Sequence, residues 1–271
     1  FLTYGLLDAG AYEEALGLVQ AAIALAQTLP PTLIFQGFLY GLSNVYHALQ
    51  QWEEARSMWE KAEAMTKTLD LAQLRVVILS QLCMNYAVAG QWEQAHTYAV
   101  QAMTLRESYD RAMILLDFSP QYETEALLRG GDEHQARAEV QRLGEGLGLS
   151  PRFRVPYLRS MAVLAAWEGH SEQAIGHLRE AAGLAADMEL PAEQWQIQAA
   201  LGTLYAVGGQ TAQAQTAWAK ASRIIQELAE GITDEALRAG FLAGPQIHPV
   251  LQHVQGEASP VSPDQAEPSG R

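Results

Sequence analysis

The sequence has one cysteine and few basic residues, and each shortage narrows the classes of protein to which it can belong. Cys83 has no second cysteine with which to form an intramolecular disulfide, so we expect a reducing compartment and a cysteine packed as a small apolar group. The 17 lysines and arginines are outnumbered by 31 aspartates and glutamates, which gives a formal net charge of −14 at pH 7. Such a surface repels phosphate groups, so nucleic acid is disfavoured as a direct partner.

Long apolar runs and targeting signals are also missing. No stretch approaches the roughly 18 uninterrupted apolar residues that a membrane-spanning helix needs. The first residues show no charged start followed by an apolar segment and a cleavage site, as a signal peptide would. These features predict a cytoplasmic protein without a membrane partner. Because residues 1–7 read as the second half of a helix, we expect this chain to be a piece of a longer polypeptide, with its first repeat truncated.

Motifs for catalysis, cofactors and metals are equally scarce. The run of alternating glycines at 144–148 follows no predicted strand and precedes no Lys-Ser/Thr pair, so it does not predict a phosphate-binding loop. The histidine pairs His170 with His177 and His248 with His253 lack the four-residue helical spacing of a metal site. The lone cysteine has no evident base, and no serine lies in a Gly-x-Ser-x-Gly turn. We therefore predict no enzyme, no cofactor and no metal.

The feature that the sequence does contain is a period of about 40 residues. Alanines recur at spacings of 40, 40, 41, 38 and 40 residues, namely Ala15, Ala55, Ala95, Ala136, Ala174 and Ala214. Five residues before each alanine lies a glycine, in every unit except the second, where Gln50 replaces it. Glycine suits the left-handed backbone that ends a helix. A fixed period of this length predicts a solenoid whose unit is a helix, a tight turn and a second helix.

Aligned on the alanines, further positions agree and resemble a known family. The matching residues are Leu42, Ser43, Tyr46, Trp52, Ala55, Trp59 and Ala62, then Leu82, Cys83, Tyr86, Gly90, Trp92, Ala95 and Ala102, then Leu201, Gly202, Tyr205, Gly209, Ala214, Trp218 and Ala221. This register resembles the tetratricopeptide repeat over roughly residues 1–230. The usual unit has about 34 residues, and the longer unit here leaves HEAT repeats of about 40 to 47 residues as the alternative.

The resemblance implies an all-α fold, a right-handed superhelical α-solenoid of about six helix-turn-helix units with a short C-terminal capping helix. The predicted helix pairs are 1–9 with 12–28, 32–49 with 52–69, 71–89 with 92–107, 111–129 with 133–147, 151–168 with 171–187, and 191–207 with 211–229. The period stops after Ala229, and we predict a capping segment at 231–255 with Thr233 as the helix cap. The Gly/Ser/Pro/Glu-rich residues 256–271 have almost nothing to bury and are predicted to be disordered.

The tetratricopeptide register also predicts which side chains line the concave face, where ligands of this family are usually held. They are Tyr4, Asp8, Tyr40, Asn44, His47, Ser80, Met84, Phe118, Gln121, Glu125, Arg129, Arg159, Trp167, Gln196 and Thr203. Aromatic rings, amides and arginines suit a protein or peptide partner. Arg129 and Arg159 are placed either to receive a carboxylate or phosphate, or to be solvated or paired with Glu125.

Repeats without a catalytic constellation predict a non-catalytic scaffold for protein–protein interaction. Extended units of this kind resemble those in the C-terminal arms of large bacterial signalling ATPases, including cyclase-linked and LuxR-type regulators. The resemblance implies a sensor or partner-docking arm, with upstream domains of the same polypeptide as further candidate partners. The alternative is an effector-sensing domain that binds a small inducer in the same groove.

Overall fold

The computed structural model describes residues 2–26, 33–68, 71–107, 119–145 and 151–255. These ranges contain helices and no β-strand. The helices are α1 (Leu2–Asp8), α2 (Tyr12–Ala26), α3 (Leu33–Ala48), α4 (Trp52–Thr68), α5 (Ala72–Val88), α6 (Trp92–Glu107), α7 (Pro120–Arg129), α8 (Glu133–Glu145), α9 (Arg154–Trp167), α10 (Ser171–Asp187), α11 (Pro191–Val207), α12 (Thr211–Glu230), α13 (Glu235–Leu242) and α14 (Ile247–Gln255). A single turn of 3₁₀ helix, Pro151–Phe153, precedes α9.

The predicted helical-repeat solenoid is confirmed. Each second helix begins three residues before its periodic alanine, at Tyr12, Trp52, Trp92, Glu133, Ser171 and Thr211. The five turn glycines adopt φ values between 72° and 89°, the left-handed region in which a residue without Cβ is unstrained. In the first turn, the Ala11 N–H donates to the Leu6 carbonyl at 2.8 Å, and this bond recurs in the other hairpins. In five of the six hairpins the turn glycine therefore ends the first helix, and in the second hairpin Gln50 takes this position.

The periodic alanines are the points of closest approach between helices. All six are at most 1% exposed. In the second and third units, Ala55 and Ala62 pack together with the fully buried Trp59 against Val77 and Leu82 of α5. Small side chains two turns apart on the second helix let its neighbours come near enough to bury these larger groups. The core is therefore a ribbon that passes from one hairpin to the next.

The two ends of the solenoid contact each other. Tyr12 and Val19 of α2 belong to the same buried cluster as Ile224 and Leu228 of α12. At the rim of this contact, the Glu13 carboxylate accepts hydrogen bonds from the Thr233 hydroxyl at 2.9 Å and from the Thr233 and Asp234 backbone N–H groups. The first hairpin thus packs on the last one as well as on its sequence neighbour, and the curved row of helices closes on itself.

The C-terminal segment differs from its prediction. Two helices, α13 and α14, follow the last hairpin instead of one. Asp234 caps α13 by accepting a hydrogen bond from the Leu237 N–H at 2.8 Å, whereas the predicted cap, Thr233, is bonded to Glu13. Phe241 and Ile247 are at most 1% exposed because they pack into the cluster shared by the first and last hairpins. The segment therefore covers the seam at which the solenoid closes.

Several predictions concern residues outside the described part of the chain. These are the predicted helix residues 1, 27–28, 32 and 69, the start of the seventh helix before Ser119 with the candidate Phe118, the end of the eighth helix, and the tail 256–271. Among the described helices, none combines the length and the apolar character that crossing a membrane requires.

The closure can be tested with two glycines that share one backbone conformation. Gly10 and Gly90 have φ values of 77° and 73°, but a methyl group at Gly10 would overlap Leu228, whereas Gly90 faces open space. We expect Gly90→Ala to lower the free energy of unfolding by about 1 to 2 kcal/mol through left-handed strain alone. Gly10→Ala should lower it by a further amount of about 1 to 3 kcal/mol, because the added methyl overpacks the seam. Urea titration measures both, and equal losses would contradict the packing of the two ends.

Candidate functional site

The inward-facing side chains of α7, α9 and α11 surround a cavity of about 640 Å³, here called the main cavity. The segment that joins α13 to α14 forms another of its walls. Six of the predicted concave residues line it: Gln121, Glu125, Arg159, Trp167, Gln196 and Thr203. They come together because the first helices of successive hairpins present the same face to the interior. The register of the repeat is therefore sufficient to place these six side chains at one site.

A second cavity of about 120 Å³, here called the small cavity, lies between α1, α3, α5, α9 and α11. Its lining includes five more predicted residues, Tyr4, Asp8, Asn44, His47 and Met84. Arg159 and Gln196 line both cavities and mark the boundary between them. The concave face is thus divided into a wide part and a narrow part, and the contact between first and last hairpins produces the narrow one.

The remaining predicted residues line neither cavity or cannot be placed. Ser80 is buried beside Arg106, whose Nη2 donates to the Ser80 hydroxyl at 3.1 Å. Arg129 pairs with Glu125, 2.8 Å away, and its guanidinium lies 4.2 Å from the centre of the Trp92 ring. The side chain of Tyr40 and the whole of Phe118 lie outside the described residues.

A partly buried ion-pair network, here called the clasp, links the boundary of the cavities to the first helix. Glu193 of α11 accepts hydrogen bonds from Arg159 and, at 2.9 Å, from Arg152. Arg152 also donates to Asp8 of α1 at 3.1 Å, and Arg159 donates to the Gln196 amide oxygen at 2.8 Å. Arg159 is therefore paired inside the protein, with Glu193 and not with Glu125.

The clasp keeps its central carboxylate charged. Burial alone would raise the pKa of Glu193, but the nearby charges of Arg159 and Arg152, with their hydrogen bonds, outweigh it and hold that pKa below its ordinary value. Breaking such a pair by removing one partner leaves an uncompensated buried charge. Arg152 and Glu193 were not among the predicted site residues, because a contact between distant turns of the solenoid leaves no local pattern in the sequence.

Gln121 is the unsatisfied polar group of the main cavity. Its side chain is 6% exposed, and neither its amide oxygen nor its amide nitrogen has a hydrogen-bond partner among the described residues. Leaving a buried amide unpaired costs about 1 to 3 kcal/mol. The wall of the cavity therefore includes a buried amide whose nitrogen and oxygen form no hydrogen bond within the described residues.

Apolar and aromatic groups form most of the rest of the main cavity. Small side chains from α9 and α11 line one part, namely Ala162, Val163, Ala166, Ala199 and Ala200. Trp195 is 4% exposed, whereas Trp167 is 46% exposed at the outer side and donates through Nε1 to Glu133 at 3.4 Å. A concave apolar site with a few well-placed polar groups is the usual form of a ligand site. Trp195, Tyr122 and Gln246 belong to this lining but were not predicted.

His47 faces the small cavity from α3. Its ring packs 5.7 Å from the Trp59 ring, and Nδ1 has no hydrogen-bond partner within the described residues. Burial disfavours the charged imidazolium and lowers the pKa of His47 to about 4. No group of three or more metal-ligating side chains occurs in the described ranges.

The fold defines the class of protein as an all-α helical-repeat solenoid. No protein-family model matches the sequence, and the search of curated proteins produced no match. Solved structures do match. The Rap protein in complex with competence and sporulation factor superposes with a TM-score of 0.59 at 15% identity, over 87% of this chain and 67% of that one. A chain of the APC/C hetero-tetramer Cut9–Hcn1 superposes with a TM-score of 0.56 at 14% identity, over 95% of this chain and 48% of that one.

A tetratricopeptide repeat protein from Parabacteroides merdae is also similar, at 13% identity over 94% of this chain and the whole of that one, with a TM-score of 0.45. At these identities the two higher-scoring superpositions show a shared fold. They do not show a shared ligand, and this chain spans about half the length of the Cut9–Hcn1 chain.

The pH dependence of stability tests the environment of His47. Unfolded His47 takes up a proton below its ordinary pKa of 6.5, whereas folded His47 resists protonation until the pH reaches about 4. The stability that His47 contributes is therefore present above 6.5 and is lost as the pH falls toward 4. We expect His47→Gln to flatten the fall of the unfolding free energy in this range, measured by urea titration. His134→Gln, at an exposed position, should keep the wild-type slope. Identical slopes in all three proteins would contradict a neutral, buried His47.

Proposed function

We propose that this protein is a non-catalytic scaffold for protein–protein interaction and that the main cavity receives a peptide segment of its partner. The observation that carries the proposal is the unpaired amide of Gln121. A peptide group offers a carbonyl and an N–H, which are complementary to the N–H groups and the oxygen of the Gln121 amide in the wall of the cavity. A bound peptide would satisfy both and remove the cost of leaving them buried.

The walls of the main cavity support the same ligand. Its volume of about 640 Å³ lies within the range of about 300 to 1,000 Å³ that is common for ligand sites. Small side chains on α9 and α11 let a peptide backbone approach closely, and Trp195 and Trp167 provide rigid aromatic surfaces for side chains. The Rap protein, which shares this fold, is found in complex with competence and sporulation factor, which supports a solenoid that holds a ligand.

The charge of the site also affects the choice of ligand. Arg159 is already paired with Glu193, and Arg129 is paired with Glu125. Neither guanidinium is therefore available to bind a carboxylate or a phosphate of the ligand. The peptide is recognised mainly through its backbone amides and apolar side chains. Specificity for a strongly acidic ligand is disfavoured further by the net charge of −14.

We further propose that the solenoid is the C-terminal sensor or partner-docking arm of a cytoplasmic bacterial signalling or regulatory ATPase. The support is the extended unit of about 40 residues, which resembles those of such arms. The coding sequence before Phe1 tests this part. A nucleotide-binding domain with a Walker motif is expected there, and its absence would reject the ATPase while leaving the peptide-binding scaffold to be tested by itself.

Replacing Gln121 by leucine should separate stability from binding. Because the amide is unpaired, Gln121→Leu is expected to raise the free energy of unfolding by about 1 to 3 kcal/mol. The same change should weaken the binding of a peptide by tenfold or more, since about 1.4 kcal/mol of lost hydrogen bonding corresponds to tenfold in affinity. Isothermal titration against a library of short peptides measures the affinity, and urea titration measures the stability.

Gln194→Leu is the matched control for this experiment. The Gln194 amide donates to the Ala185 carbonyl at 3.1 Å, so its loss should lower stability and leave peptide affinity unchanged. Peptide binding that survives Gln121→Leu would contradict the assignment of the site. If no peptide binds but small metabolites raise the melting temperature, the scaffold proposal fails and the effector-sensing alternative replaces it.

A further inference from the structure

Gln50 is the one exception in the series of turn glycines, and the structure preserves the turn around it. Its φ is 65°, so it adopts the same left-handed conformation as the five glycines. A residue with a Cβ is strained there. The hydrogen bonds of this turn match those of the other hairpins, since the Gln51 N–H donates to the Tyr46 carbonyl at 2.8 Å. The turn itself therefore gives no reason for a glutamine in place of glycine.

The side chain of Gln50 supplies the reason. It is buried, and its amide oxygen accepts a hydrogen bond from the Gln246 N–H at 3.2 Å. Its Cβ and Cγ lie so close to Gly244 that any side chain at position 244 would overlap them. The turn between α3 and α4 thus docks the linker 243–246, which is almost two hundred residues away in sequence and joins α13 to α14.

The docked linker forms a wall of the main cavity. Pro245 and Gln246 of the linker belong to the lining, next to Pro249 of α14. The Gln246 side chain donates through Nε2 to the Tyr122 hydroxyl at 3.3 Å, and Tyr122 is adjacent in sequence to Gln121. A chain of hydrogen bonds therefore runs from the turn of the second hairpin, through Gln246, to the helix that carries the unpaired amide.

We infer that Gln50 is a positioning residue for the ligand site, and that the C-terminal segment is a part of that site. Gln50 holds the backbone of Gln246, so that the side chains of Pro245 and Gln246 face the ligand and limit what the main cavity accepts. Phe241 and Ile247, on either side of the linker, are anchored in the core independently of Gln50. Loss of Gln50 therefore displaces the linker and leaves α13 and α14 in place. The role in ligand selection rests on the proposed function, whereas the position of the linker does not.

Gln50→Gly tests the positioning. Glycine is the residue of the other five turns, so relief of left-handed strain should offset the lost hydrogen bond, and the denaturation midpoint should stay near the wild-type value. Hydrogen exchange at the Gln246 amide, followed by NMR, should become faster by about tenfold or more, because the acceptor of its hydrogen bond is gone. Exchange within α12 should not change.

A double-mutant cycle tests the effect on the ligand. Gln246→Ala removes the side chain from the cavity but keeps the backbone N–H on Gln50. With the tightest-binding peptide of the library as the probe, we expect each single variant to weaken binding by about fivefold or more. The double variant should bind the peptide with the same affinity as the weaker-binding of the two single variants, because Gln50 acts through Gln246. Gln252→Ala, at an exposed glutamine of α14 that does not line the cavity, should bind as the wild type does.

Two results would overturn the inference, and both differ from failure of the proposed function. Unchanged exchange at the Gln246 amide in Gln50→Gly would show that Gln50 does not hold the linker. Additive losses of affinity in the cycle would show that Gln50 does not act through Gln246. If no peptide of the library binds, the proposed function is contradicted. The exchange measurement needs no ligand, so it still decides whether Gln50 docks the linker.

Discussion

The packing of the first hairpin on the last one is the contact on which the interior of this protein depends. It places α1 opposite α11, so that Asp8, Arg152, Glu193 and Arg159 meet in the clasp. It also brings the second hairpin near the C-terminal linker, which Gln50 then docks. An open superhelix built from the same hairpins would keep its core ribbon but would have neither the small cavity nor the far wall of the main cavity.

Two kinds of buried polar group line this interior, and they have different physical roles. In the clasp, Arg152 and Arg159 pair with Glu193 and keep its pKa low, and Arg152 also pairs with Asp8, so this network holds the ends of the solenoid together. The Gln121 amide has no hydrogen-bond partner among the described residues, which lowers the stability of the fold. An apolar side chain at this position would be more stable, and the proposed peptide site gives the amide a role in binding.

The local features of the fold could be predicted from the sequence, whereas the long-range contacts could not. The alanine period and the turn glycines specify each hairpin, because they act over a few residues, and the same register placed Gln121, Trp167 and Thr203 on one face. The clasp and the wall of the main cavity at Gln246 join segments that are far apart in the chain, so no periodic pattern in the sequence predicts them. The one local sign was Gln50, a strained residue where its five equivalents are glycine.

The separation between the first and last hairpins in solution tests the central claim most directly. Gln20→Cys on α2 and Gln226→Cys on α12 are exposed positions for spin labels, and Cys83 is buried and does not compete for the label. Electron–electron double resonance should give a single narrow distribution at the short distance of two packed helices. A broad distribution at long distances would mean that the solenoid is open, and it would contradict both the clasp and the site that the closure builds.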